Sequence, residues 1–408
     1  MIPGARRPTD EQLRAQLAAL ANSGLTDDEA HLIAVRRLRG LAPPPPEVAR
    51  TESLVVLGLA VAAAAAIKVP ASFGIDFDPN QELPRFYARN ASLFVFPLLA
   101  VYFAWKRGLA ARHWPWLALP FAAAAVVANA FPFSANSDTE VLNILHLPIA
   151  LWLAVGLAYA GGRWFSDDGR MNFVRFSGEL AIYYVLMALG GGVLTAFTFM
   201  MFNAIGMNPD WFVAGWLLPC GATAAVVIGS GLVEAKQSVM GNMAPVLTRL
   251  FAPLFTVLLL AFLATMLWTG NPINVEREIL IGFDLLLALV VGLVLYAASA
   301  RAPEAPPDFF DGLQLLLVVS ALAVDAVALW AIAARISEFG FTPNRVAALG
   351  ENLILLVNLL WSAGLYASFL RRRGTFAALE QWQIAYLPVY STWAALVVIV
   401  FPPLFGYR

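Results

Sequence analysis

From residue 52 onward the chain alternates between long apolar runs and short polar breaks. The runs are roughly 18 to 25 residues, the length of helix that crosses about 30 Å of hydrocarbon at about 1.5 Å per residue. About eleven such spans are predicted, at approximately 52–69, 90–106, 114–133, 141–162, 177–207, 211–233, 247–269, 278–300, 313–334, 344–370 and 386–405. The fifth is longer than a bilayer requires and is interrupted by Gly190, Gly191 and Gly192.

The first fifty residues read differently. Thr9 is placed as an N-cap, Leu13, Leu17 and Leu20 share one helical face, and Gly24 is a stop. Thr26 and Glu29 then have capping-box spacing, ahead of Arg36, Arg37 and Arg39. The expectation is an all-α protein with two parts: residues 1–46, a cytosolic helical hairpin closed by the stiff spacer PPPP, and residues 47–408, a polytopic bundle of transmembrane helices. A cleaved signal peptide does not fit so long a charged leader. The hairpin suits either docking to a partner protein or resting on the lipid surface.

Composition agrees with the pattern. Hydrophobic residues make up 60% and charged residues 13%, with mean hydropathy +0.72; a soluble domain is about 25% charged. The net charge of -1 gives no footprint for nucleic acid. The one cysteine, Cys220, precludes an internal disulfide, and His31, His113 and His146 lack metal-ligand spacing. No cofactor is expected.

Lysine and arginine set the predicted orientation. With the N-terminus cytoplasmic, the outer segments keep only Lys68, Arg85, Arg89, Arg277, Arg335, Arg345 and Arg408 of the 26 basic residues. Trp105, Trp114, Trp116, Trp164, Trp211 and Trp268 near span ends suit an interfacial belt.

The run ARISEFGFTPNRVAALGEN, residues 334–352, concentrates charge between two spans. Thr342 and Pro343 predict the N-cap and first position of the tenth helix. Nearby spans carry Asp284, Asp325 and Glu351, at predicted depths of roughly 9, 14 and 10 Å from one membrane face. An isolated charge at such depth costs at least about 2.5 to 3.5 kcal/mol, so these acids are expected to face protein. Arg335 and Arg345, with Glu338 between them, approach from the turn. Glu351, Asn358, Ser362 and Tyr366 fall along one helical face. The cluster reads either as ion pairs pinning three helices or as a solute or proton pathway.

Secondary candidates follow. The triple glycine could unwind to expose carbonyls, or serve close packing or a kink. Glu179 and Tyr183, one turn apart, could line an inner vestibule. His146 precedes Pro148 and suits a bond to a carbonyl freed by that proline, or a proton relay. Residues 234–251 suit an amphipathic loop or a re-entrant gate. Enzyme signatures are weak: a phosphate-binding loop and HExxH are absent, the IGSG around Ser230 is a poor nucleophile turn, and Asp284 with Asp325 as an aspartyl dyad lacks the flanking glycine.

RISEFGFTPNR, EAKQSVMGNMAPVLTRLFAPLF and YLPVYSTWAA together resemble the bacterial membrane proteins grouped as domain of unknown function 4153, and GLTDDEAHLIAVRRLRG resembles a permease prefix. The resemblance implies a multi-pass protein of the bacterial inner membrane and carries over no catalytic or ligand residues. The expected function is permease-like handling of a small solute or ion across the bilayer. The alternatives are a sensor or assembly adaptor working through residues 1–46, and an intramembrane hydrolase.

Overall fold

The computed structural model describes residues 46–75, 85–134, 137–161, 167–204, 210–237, 277–301 and 305–408, with short helical pieces between 252 and 264. The predicted hairpin, Trp164, Trp268 and most of the 234–251 segment lie outside these. Every regular element among the described residues is helical. We label α1 Pro46–Ala66, α2 Arg85–Asn90, α3 Phe96–Lys106, α4 Trp114–Ala130, α5 Asp138–Tyr159, α6 Asp167–Ala204, α7 Leu218–Gln237, α8 Arg277–Ala300, α9 Phe309–Phe339, α10 Pro343–Leu370 and α11 Phe376–Ile399.

Among the described residues, eight helical stretches are long and apolar enough to cross a membrane. Their outward side chains suit a lipid bilayer: Leu57, Val61, Leu189, Trp330 and Leu360 are all more than half exposed. The remaining three predicted spans differ in kind. α4 has 17 residues, α8 presents a shorter apolar stretch at Asp284–Ser299, and 247–269 is described only in fragments.

Local signals explain several boundaries. Pro46 opens α1, where its missing N–H costs nothing. The Ser137 hydroxyl caps α5 by accepting from the Glu140 N–H at 3.2 Å. Asp308 and Asp311 form a capping box at the head of α9. As predicted, Thr342 caps α10, accepting from the Arg345 N–H at 3.4 Å, with Pro343 in the first turn. The triple glycine does not unwind: α6 runs unbroken from Asp167 to Ala204. Nor does it pack closely, because a Cβ at Gly190, Gly191 or Gly192 would meet nothing within 4 Å.

The helices bury two main hydrophobic cores. One draws on α1 and α3 to α7, with Val398 of α11, and centres on Phe103, Tyr159 and Phe176, whose rings lie 4.9 to 5.1 Å apart. The other is built from α8 to α11 with Ala252 and Leu259. Between these half-bundles runs a seam. A small third cluster, Leu142, Ala347, Val397 and Phe401, closes it where α5 meets α10 and α11. Elsewhere the Tyr296 ring of α8 lies directly over Gly178 of α6.

Polar contacts sort the helix ends into two groups. At one end Glu234 of α7 takes both oxygens of its carboxylate to Arg107 Nη2, at 3.0 and 3.1 Å, and one to Lys106 Nζ at 3.1 Å. Lys106 also reaches Glu52 of α1, and Tyr102 donates to Glu52 at 2.6 Å. Arg107 donates to the Tyr159 carbonyl at 3.2 Å. Arg301 grips Asp311 at 2.7 and 2.8 Å and stacks on Phe369 and Phe376. At the opposite end Lys68 donates to Gly215 O at 2.8 Å, where a π-helical stretch, Val213–Leu217, leads into α7. Arg85 and Arg89 pair there with Glu140.

Candidate functional site

Four helices bring polar side chains to the seam. Glu351 lies in the third turn of α10, about 12 Å from its start, and His146 lies at the same depth in α5. Their side chains meet, Nε2 of the ring against Oε1 of the carboxylate. Imidazole and carboxylate are 7% and 30% exposed. The other ring nitrogen, Nδ1, sits 2.8 Å from the Leu142 carbonyl. This revises the expected bond: Pro148 frees the carbonyl of Ile144, four residues before it, but the ring uses that of Leu142.

Asn352 follows Glu351 and, about 100° further around the helix, faces α8. It is fully buried, and its Nδ2 donates to Oδ1 of Asp284 and to the Ala348 carbonyl, both at 2.8 Å. Asp284 is about 10 Å from the head of α8. Its charge interacts with that of Glu351 on one side and with Asp325 on the other. Asp325 is fully buried in α9, and among the described residues neither of its oxygens has a hydrogen-bond partner; nor does Oδ1 of Asn352. Because α9 continues to Phe339, Asp325 is about 21 Å from its end, deeper than the helix length predicted from sequence allowed.

Glu351, Asp284 and Asp325 are thus linked in sequence by their charges, with His146 and Asn352 beside them. The arginines are placed differently. Arg345 donates to the carbonyls of Phe339 and Gly340, at 3.1 and 2.8 Å, and its guanidinium lies over the Phe339 ring. It closes the end of α9, where orphan carbonyls attract a cation. Arg335 is half-buried on the last turns of α9, and Glu338 is exposed. Glu351's counter-group in the structure is an imidazole from the other half-bundle.

The polar face of α10 continues inward but changes partner. Asn358, Ser362 and Tyr366 are buried, as the stripe predicted. Asn358 and Gln383 of α11 exchange amide hydrogen bonds at 3.2 Å, and Gln383 also donates to Ser362 Oγ at 2.7 Å. Gly350 matters for the same helix pair, because the Trp393 ring occupies the space where a Cβ would project. That close approach sets the level of Glu351.

The remaining candidates sit elsewhere. Glu179 is buried on α6, where its charge acts on Tyr296 of α8; Tyr183 is half-buried one turn on. Ser230 lies within α7 rather than on a turn, and its hydroxyl donates to Val226 O at 2.8 Å. Among the described residues no group of three or more His, Cys, Asp or Glu side chains is arranged to hold a metal ion. No family model matches the chain, and neither a curated protein nor a solved structure matches it.

Proposed function

We propose that the protein is a permease-like carrier of the bacterial inner membrane that uses the seam between its half-bundles as the pathway for a small solute or ion. One observation carries this reading: a row of polar groups from α8, α9 and α10 ends at Glu351, which meets His146 of α5 across the boundary of two hydrophobic cores. Carriers built from two packed units place their sites at such a boundary, near the middle of the bilayer. A carboxylate at that depth persists where it faces protein or a water-filled path, and Asp325, buried without a partner, is a group through which a proton or cation passes. Family likeness to domain of unknown function 4153 is part of this reading and contributes membrane placement only.

The reading includes eleven passages with the N-terminus in the cytoplasm. α7 ends beside Lys106 and Arg107, whereas α8 ends beside Arg175, which donates to Ser299 O at 3.0 Å, and so begins at the opposite face. On this reading the helical pieces within 252–264 belong to one further passage between α7 and α8.

Reconstitution tests it. In proteoliposomes under a proton or sodium gradient, the parent moves ions or solute, and Asp325→Asn, Asp284→Asn and Glu351→Gln each reduce the flux at least about tenfold, the scale of one lost charge interaction near 1.4 kcal/mol. Equal flux in parent and amide variants, or none in the parent, rejects the proposal.

A further inference from the structure

The contact between His146 and Glu351 has a proton count that its neighbours determine. A carbonyl oxygen only accepts, so the ring nitrogen facing Leu142 O, at 2.8 Å, carries a hydrogen. The opposite nitrogen faces a carboxylate oxygen. With Nδ1 already protonated, an attractive Nε2···Oε1 contact requires one more proton. It is either an imidazolium facing a carboxylate or a neutral ring accepting from a carboxylic acid. Remove that proton and the ring has one N–H for two acceptors, Leu142 O and Oε1; with the hydrogen kept on Nδ1 by the carbonyl, the lone pairs of Nε2 and Oε1 confront each other.

The contact also joins the two half-bundles, since α5 belongs to one core and α10 to the other. We propose that this pair is the site of the coupling ion, that the ion is a proton, and that its release from between Nε2 and Oε1 lets α5 and α10 part. The use of this step in transport rests on the carrier reading above; the step itself does not.

The surroundings suit the role. Asp284 of α8 lies within electrostatic reach of Glu351, and Asp325 of α9 within reach of Asp284. α11 faces this level with Trp393, which is uncharged, while its Tyr386 donates to the Ile354 carbonyl at 2.9 Å and Tyr390 is half-buried one turn along. On α5 itself Glu140 is held by Arg85 and Arg89 toward the helix start. The imidazole is thus the group seated against Glu351, with the two acids on the other side of the carboxylate. Glu351, the more exposed partner, gives the proton its exit. Leu142 and Ala347, one turn from His146 and Glu351 respectively, pack there as apolar neighbours, and the adjacent Asn143 of α5 donates to the Val398 carbonyl of α11 at 3.4 Å.

Spin-label distances test this on the full chain in lipid nanodiscs. Labels go on Leu145→Cys of α5 and Leu353→Cys of α10, both exposed, in a Cys220→Ala background. The label separation should lengthen as pH rises and return as it falls. In Glu351→Gln the amide N–H donates to the ring without help from solvent protons, so the short separation should persist at every pH. Its match to the low-pH parent also shows that the variant is folded. A parent distance that does not change with pH, or a Glu351→Gln protein that opens as the parent does, overturns the proposal. Flux without any change in separation retains the carrier and rejects this latch; separation without flux does the reverse.

Discussion

The amide of Asn352 donates to Oδ1 of Asp284 at 2.8 Å and to its own helix at the Ala348 carbonyl. Asn352 thereby holds α10 against α8 and supplies Asp284 with its hydrogen bond. Asn352→Leu removes the donor and strands a partly buried carboxylate, which costs about 1 to 3 kcal/mol. Thermal unfolding in detergent should show the loss, and Asp284→Asn in the same background should recover part of it.

Glu234 is held by two cations from the end of α3. Its side chain is 3% exposed, while Lys106 and Arg107 are 18% and 29% exposed. Glu234→Gln leaves those cations half-buried without their shared partner. The expected cost lies between that of an exposed and a buried pair, about 1 to 3 kcal/mol, read as a drop in unfolding temperature. Because the cluster is largely shielded, 0.1 M and about 1 M salt should give nearly the same drop.

Two helical glycines separate packing from propensity. Gly350→Ala drives a methyl group into the Trp393 ring and forces α11 away from α10, an overpacking cost of about 1 to 3 kcal/mol. Gly292→Ala meets nothing within 4 Å and should gain about 0.5 to 1 kcal/mol as a helix interior. Unfolding of the two variants side by side should move in opposite directions.

Gly340 ends α9 at φ 75° and ψ −175°, a region only glycine occupies readily, and its N–H donates to Ile336 O at 2.8 Å. Gly340→Ala should cost about 1 to 3 kcal/mol. It should also disturb the Gly340 carbonyl that Arg345 holds, so Arg345→Ala added to Gly340→Ala should cost less than in the parent.

Much of this was legible in the chain. The charged turn at 334–352 announced its own geometry, because Thr342 and Pro343 act locally and nothing distant overrides them. The depths of Asp284 and Glu351 followed from helix rise alone. Other features depended on which helix faces which. Asn352 is one residue from Glu351 yet points at a different neighbour, and Gln383 fell outside a span drawn to begin at 386, whereas α11 starts at Phe376. Arg345 was paired with the acids by charge, but the nearby orphan carbonyls of α9 hold it more cheaply than a reach into the bundle would. His146 had no visible partner, because Glu351 lies 205 residues away. Of the readings the triple glycine offered, unwinding fails because its helix is unbroken, and close packing fails because no described neighbour comes near it.

The central claim is that water reaches the carboxylates between the half-bundles, and thiol accessibility measures this directly. Asp325 makes no hydrogen bond, so Asp325→Cys in a Cys220→Ala background removes none. Phe341→Cys, exposed at the turn after α9, reports reagent access at that face. In intact proteoliposomes a membrane-impermeant charged thiol reagent should label Phe341→Cys at once and Asp325→Cys more slowly but completely. Full labelling of Phe341→Cys with Asp325→Cys untouched at every pH would contradict a water-reached pathway.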